Sequence, residues 1–213
     1  MGDDQKARSE WRAIRALPPG DALAQIRATI ATRHLTGLRH PHGFYVVLLH
    51  RDIREEWRLH VWPDTTRQYV GMPARVHTHD RHVDSRLLVG TLSNVTYRSQ
   101  VCGEGGYPLY QVTYLGDKYY EATKNVLRKS SVRLAVEEVE RMTMIAGDSY
   151  RVDRHTFHEA MVPNGQTTIT LVCLHGYEPG SVGVLGIDGY SRDLVFERAI
   201  VSNEDLLSAL QAF

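Results

Sequence analysis

Residues 76–90, VHTHDRHVDSRLLVG, decide how the rest of this chain is read. They hold His77, His79, His82 and Asp84 within a span of eight residues. Side chains along a strand alternate between its two faces, so an extended segment over residues 74–78 turns His77 one way and Thr78 the other. His79 follows His77 onto the same face. Two imidazoles side by side on a rigid segment are half of a site for a divalent metal. The rest of the chain has to supply a scaffold and the remaining ligands.

With 213 residues, 42% of them hydrophobic and 23% charged, the chain is long enough for one domain with a sizeable core. Lys+Arg and Asp+Glu balance at 25 each, which leaves no global field to draw in nucleic acid or an anionic membrane surface. The N-terminus, MGDDQKARSEWR, lacks the apolar core of a signal peptide. No run approaches the ~20 apolar residues of a membrane span, so a cytoplasmic protein is the expectation. Cys102 and Cys173 are far apart, which argues against a zinc ribbon or a disulfide framework. Eleven histidines make chance H-x-H pairs easy to find. His40-Pro41-His42 is such a pair; beside a proline and Gly43 it reads as a turn and is set aside as a ligand pair.

Trp11, Ile14 and Leu17 recur at helical spacing until Pro18-Pro19-Gly20 ends the helix. Asp21 reads as the N-cap of a second helix with Leu23, Ile26 and Ile30 on one face. Residues 1–42 are therefore a helical segment packed on the main body, as a lid or as the contact of a homodimer. From residue 43 the texture is β. Segments 44–50, 57–62, 74–78, 85–97, 109–114, 132–145, 149–152, 159–162, 167–174 and 194–200 alternate with turn residues. Those turns include Pro63-Asp64, Gly103 to Gly106, Gly116-Asp117 and Pro163-Asn164-Gly165. Many short strands without long helical crossovers point to a mainly β sandwich or barrel over 43–201. Residues 202–213 close the chain with a short helix, in which Ser202 and Asp205 form a capping box.

Gly71 precedes His77 by six positions, His79 precedes Asp84 by five, and Gly90 follows. Further on, Gly147 and His158 are eleven positions apart in GDSYRVDRHTFHEAM. These spacings resemble the two motifs of the cupin superfamily. Aspartate stands at 84 where the first motif has glutamate, and Asp153 and His155 stand where the second has proline and glycine. The resemblance implies a cupin-type double-stranded β-helix, a small jelly-roll barrel. It also implies a divalent metal held by His77, His79, Asp84 and His158, with His155 as the alternative to His158. By ligand type such a set admits iron(II), manganese, nickel, copper and zinc; iron(II) suits O2 chemistry.

LHGYEP, residues 174–179, is similar to the L-H-x-Y-x-P stretch of cysteine dioxygenases and their thiol dioxygenase relatives. That branch sits on a cupin barrel, binds non-haem iron through three histidines and lacks a carboxylate ligand. Carried over, His175 and Tyr177 would hydrogen-bond to substrate or oxygen. Asp84 is the departure: it either ligates the ion or orients an imidazole through its N–H. Alternation puts Arg86 on the face of Asp84, where a guanidinium can clamp a carboxylate or phosphate; Arg58 and Arg75 are its rivals. Cys173 shares the face of His175 and reads as a small buried hydrophobe.

The leading expectation is thus a non-haem iron(II) dioxygenase taking O2 and a small polar substrate that bears a thiol or carboxylate. An isomerase, lyase or hydrolase using the metal as Lewis acid is the alternative, as is a ligand-binding cupin without catalysis.

Overall fold

Two prolines divide the N-terminal helical run. Helix α1 (Asp3–Ala16) stops at Leu17, which is extended, as the residue before a proline prefers to be. Helix α2 (Pro19–Thr32) begins with Pro19 in its first turn. Proline is suited to that position because the missing N–H has no helical partner there. Pro18 is therefore the N-cap, not Asp21; the aspartate lies in the first turn, where its charge suits the helix dipole. The computed structural model describes residues 2–65, 69, 71–116, 124–211 and 213. Asp117, half of an expected turn, lies outside them.

The chain continues through β1 (Gly37–Arg39), β2 (Tyr45–Arg51), β3 (Glu55–Trp62), β4 (His82–Val89), β5 (Thr91–Cys102), β6 (Tyr107–Leu115) and β7 (Lys124–Ile145). It then forms β8 (Ser149–Val152), β9 (Phe157–Met161), β10 (Thr168–His175), β11 (Val182–Leu185), β12 (Asp193–Glu197) and β13 (Ile200–Val201). Helix α3 (Asn203–Ala209) ends it, and the Ser202 hydroxyl accepts from the Asp205 N–H at 3.0 Å, the N-cap half of the expected capping box, while it donates its own proton to the Asp205 carboxylate at 2.8 Å. The protein is mainly β, with two antiparallel sheets and three helices among the described residues. One sheet runs β13-β1-β2-β3-β10-β4-β8. The other runs β11-β6-β7-β5-β9, with β12 also paired to β7. No helix of the described residues is long and apolar enough to cross a membrane.

Several expected segments change their bounds. The run expected over 85–97 is two strands broken at Gly90, whose φ is +80°. A Cβ there would lie 2.5 Å from the Thr167 carbonyl oxygen, so only glycine permits the close crossing. β7 starts earlier than expected and runs for 22 residues, while β1 and β11 fall outside the expected segments.

Each face of the seven-stranded sheet has its own core. On the outer face Val47, Leu49, Trp57, Leu59, Ile169, Leu171 and Cys173 pack with Trp11, Ile14, Leu23, Ile26 and Leu206 of the helices. Trp11 stacks on Trp57 with ring centroids 6.5 Å apart. On the inner face Phe44, Val46, Trp62, Val83, Leu87, Val172 and Leu174 meet Leu92 and Met144 of the other sheet. Burying such side chains contributes ~1.5–3 kcal/mol each, so the sign of the alternation is strongly enforced. In β4 it sends Val83 and Leu87 inward and leaves Asp84, Arg86 and Leu88 on the helix-covered face.

Arg86 joins the helices to the sheet. Its guanidinium donates to the carbonyl of Arg15 and, at 2.7 Å, to that of Leu17, at the open C-terminal end of α1. Arg8 pairs with Asp52 and Arg12 with Glu55 along the same helix. Replacing Arg86 by Ala should cost about 2 kcal/mol. For a chain of this size that lowers the melting temperature by roughly 4–8 °C. An unchanged melting temperature in a thermal scan of Arg86→Ala would refute this role.

Candidate metal centre

Residues 74–79 are extended but do not form a regular strand; only isolated bridges occur, from His77 to His158 and to Val184. Hydrogen bonds go alternately to two sides. His77 exchanges both backbone bonds with His158 of β9, at 3.0 and 2.9 Å. The Thr78 N–H reaches the Gly183 carbonyl at 2.9 Å, and the Leu185 N–H reaches the Val76 carbonyl at 2.9 Å. The segment therefore lies between β9 and β11, the two ends of the second sheet. The Thr78 hydroxyl, on the opposite side from the histidines, accepts from the Gly183 N–H at 2.8 Å. The expected alternation holds although the regular strand does not.

His77 and His79 project toward His158. One ligand nitrogen from each of the three lies within 4.8 Å of the others, so the group can hold a metal ion. The His79 and His158 Nε2 atoms are 3.0 Å apart. Two nitrogens bonded at ~2.1 Å to one ion sit about 3–3.5 Å apart, so the spacing fits. The His77 Nδ1 lies 2.7 Å from the Arg75 carbonyl, which can only accept, so Nδ1 carries the proton and Nε2 keeps its lone pair. The His158 Nδ1 lies 2.9 Å from the Asn94 Oδ1. Burial, and then neighbouring imidazoles, push the pKa values of His79 and His158 well below 6.5; burial also lowers that of His77. All three favour the neutral form that a metal requires.

A cavity opens from these histidines in two lobes. Met72, Val112, Tyr114, Leu127, Val184 and Phe196 line one lobe, and Phe44, Trp62, Val83, Tyr150 and Val172 line the other. His40, His42, Arg58, His77 and His79 border both. His40-Pro41-His42 is a turn, as its sequence indicates, but setting it aside overlooked where the turn lies. The His42 ring sits 4.8 Å from that of His77, and His40 stacks on Phe44 at 4.3 Å. His60, on the inner face of β3, packs against Phe44 at 4.9 Å. Arg198, only 8% exposed, lines the first lobe, with its guanidinium 5.7 Å from the Tyr114 ring centre. The H-x-H spacing was the available signal for His40 and His42; nothing local marked His60 or Arg198.

The other expected site residues lie elsewhere. Asp84 pairs across the ladder with Cys173 on the outer face of the first sheet. Its carboxylate accepts from the His175 Nε2 at 2.9 Å and has Arg151 within 3.8 Å. Arg86 is occupied with α1. His175 faces His82, with ring centroids 5.4 Å apart, and Tyr177 is 55% exposed beneath the Arg81 guanidinium. None of Asp84, Arg86, His175 and Tyr177 lines the cavity. Asp84, Arg86 and His175 share one cause, because β4 and β10 turn these positions to the helix-covered face; Tyr177 lies beyond the end of β10. His155 is exposed, with φ +62°, and its N–H bonds to the His79 carbonyl at 2.8 Å. His158, not His155, points into the cluster. Of the rival arginines, Arg58 and Arg75 border the cavity; Arg58 pairs with Glu56, and Arg75 lies 3.5 Å from Glu159.

No protein-family model matches the chain, and no curated protein does. Among solved structures it is similar to KdgF from Halomonas sp., at 10% identity and a TM-score of 0.29, over 63% of this chain and 82% of that one. At that level of superposition neither an activity nor a detailed topology transfers.

Burial lowers the pKa values of His40, His42, His60, His79 and His158 well below the ordinary 6.5. An unfolded chain takes up protons at these positions near pH 6.5 while the fold does not. Stability is thus fully present above about pH 6.5 and is lost as the pH falls below it. The metal-free protein should melt at a constant temperature between about pH 7 and 8, and at steadily lower ones toward about pH 5. A melting temperature flat down to pH ~5 would show that these imidazoles reach water freely.

Proposed function

We propose that this chain is a cupin-type metalloenzyme that works on a small molecule bound in the two-lobed cavity, with His77, His79 and His158 as the protein's metal ligands. The observation that carries the reading is the convergence of these three side chains at the cavity, where His77 and His79 border both lobes and His158 the second. The double-stranded β-helix is part of the proposal and rests on the two sequence motifs and the paired antiparallel sheets.

Within that class we favour a non-haem iron(II) dioxygenase. Support comes from the ligand count. Asp84 is hydrogen-bonded to His175 on the other face, leaving three neutral imidazoles and, among the described residues, no carboxylate in the group. Cysteine dioxygenases, which the LHGYEP stretch resembles, share that ligand set. A divalent ion would supply Lewis acidity and, if it is iron(II), the redox chemistry needed to use O2. His175 and Tyr177 have no part in this proposal, because both lie away from the cavity.

The chain's own residues determine what binds. Arg58, Arg75 and Arg198 border the cavity, against Asp80 as the only lining carboxylate among the described residues. Arg58 already pairs with Glu56 and Arg75 lies 3.5 Å from Glu159, so these side chains offer hydrogen-bond donors to a polar substrate rather than a net positive field, and the apolar walls hold its uncharged remainder. Thr78 and the paired backbone fix the imidazoles, so the ligand set is rigid before substrate arrives.

Protein reconstituted anaerobically with iron(II) should retain about one ion per chain, and a carboxylate from a panel of thiols, amino acids and aromatic acids should trigger O2 uptake. His77→Ala should abolish both, while Asp84→Asn should retain the ion. Turnover of the panel under strict anaerobiosis would instead identify an isomerase, lyase or hydrolase on the same ligands. Loss of the ion in Asp84→Asn would overturn the three-histidine assignment.

A further inference from the structure

Asn94 sits in β5 among apolar neighbours, opposite Ala160 of β9 and Met142 of β7, and is 1% exposed. Its Oδ1 is 2.9 Å from the His158 Nδ1. Its amide nitrogen is buried with no hydrogen-bond partner among the described residues. An unsatisfied buried donor costs roughly 1–3 kcal/mol, so an amide here is a poor choice for stability alone. The histidine is its one evident purpose.

We infer that Asn94 is a positioning residue that sets the tautomer of His158 and thereby the affinity of the three-histidine site for its ion. The inference rests on the metal reading proposed above. An amide oxygen can only accept a hydrogen bond, so it holds the proton on Nδ1 and leaves the Nε2 lone pair aimed at the gap 3.0 Å from the His79 Nε2. That is the tautomer a metal needs. An asparagine can also turn its amide over and donate to Nδ1, which puts the His158 proton on Nε2, where it can bond His79 in place of an ion. Asn94 thus serves both states of the site, whereas a residue that only accepts would favour the metal-holding one. Groups that orient a ligating imidazole in this way typically change metal affinity by about 10–100-fold.

The test is a titration of the full-length chain with zinc(II) against a chromophoric chelator, for the parent, Asn94→Leu and Asn94→Asp, with cobalt(II) absorption as a second readout. Asn94→Leu should weaken binding by about 10–100-fold. Asn94→Asp, which accepts but does not donate, should bind at least as tightly as the parent and keep its cobalt spectrum. A merely structural role would lower affinity in both variants. Binding of Asn94→Leu within about twofold of the parent, or an Asp variant as weak as the Leu variant, overturns the inference. If Asn94→Leu does not fold, the Asp variant decides alone, and weaker binding than the parent refutes the assignment. A parent that takes up no metal refutes the metal reading itself, and this inference with it.

Discussion

Everything at the candidate centre depends on how six extended residues are held. His77 is locked to His158 by a reciprocal pair of backbone bonds, while Val76 and Thr78 are locked to β11. The side chains of His77 and His158 thus come from directly opposed positions of an antiparallel pair, which brings them close without help from side-chain packing. His79 joins them because it is two residues on. The backbone of this segment is satisfied on both sides, so the histidines stand on a rigid support rather than on a loop.

The second constraint is the pleat of β4 and β10. Where Val83, Leu87, Val172 and Leu174 fill the space between the sheets, their neighbours must face the helices. Asp84, Arg86 and His175 are those neighbours, and each finds a partner there: the carboxylate with the imidazole, the guanidinium with the end of α1. A single-residue shift in β4 would bring Asp84 inward and expel Val83 and Leu87 from the core. The hydrophobic cost of that exchange is what separates the carboxylate from the histidine cluster.

The parts of this arrangement that were legible in the sequence are those governed by local periodicity. Strand positions, the capping box at Ser202, the shared face of His77 and His79, and the shared face of Asp84 and Arg86 all follow from it. Alternation groups residues by face but does not say what each face meets: in β4 the half-buried positions carry Asp84 and Arg86 and the buried ones Val83, Ser85 and Leu87, while β10 is buried on both faces. Hence Asp84 and Arg86 were grouped correctly with each other and wrongly with the histidines' cavity. His40 and His42 read as a turn, which joins β1 to β2 locally, but the place of that hairpin depends on the pairing of β1 with β13 from the far end of the chain, which no short window contains. Gly90 was read as part of a motif; its structural reason is the backbone it passes.

The resulting centre differs from the one expected: three buried or half-buried imidazoles, more histidines and arginines around them, and the nearby acid turned away. Three protein ligands leave much of an ion's coordination sphere to groups from outside the protein. The most direct check is an anomalous-difference map from crystals of the chain soaked in zinc(II) or cobalt(II). The account predicts one strong peak within bonding distance of the Nε2 atoms of His77, His79 and His158, with the Asp84 carboxylate still on His175. A peak coordinated by Asp84, or none at the three histidines, would contradict it.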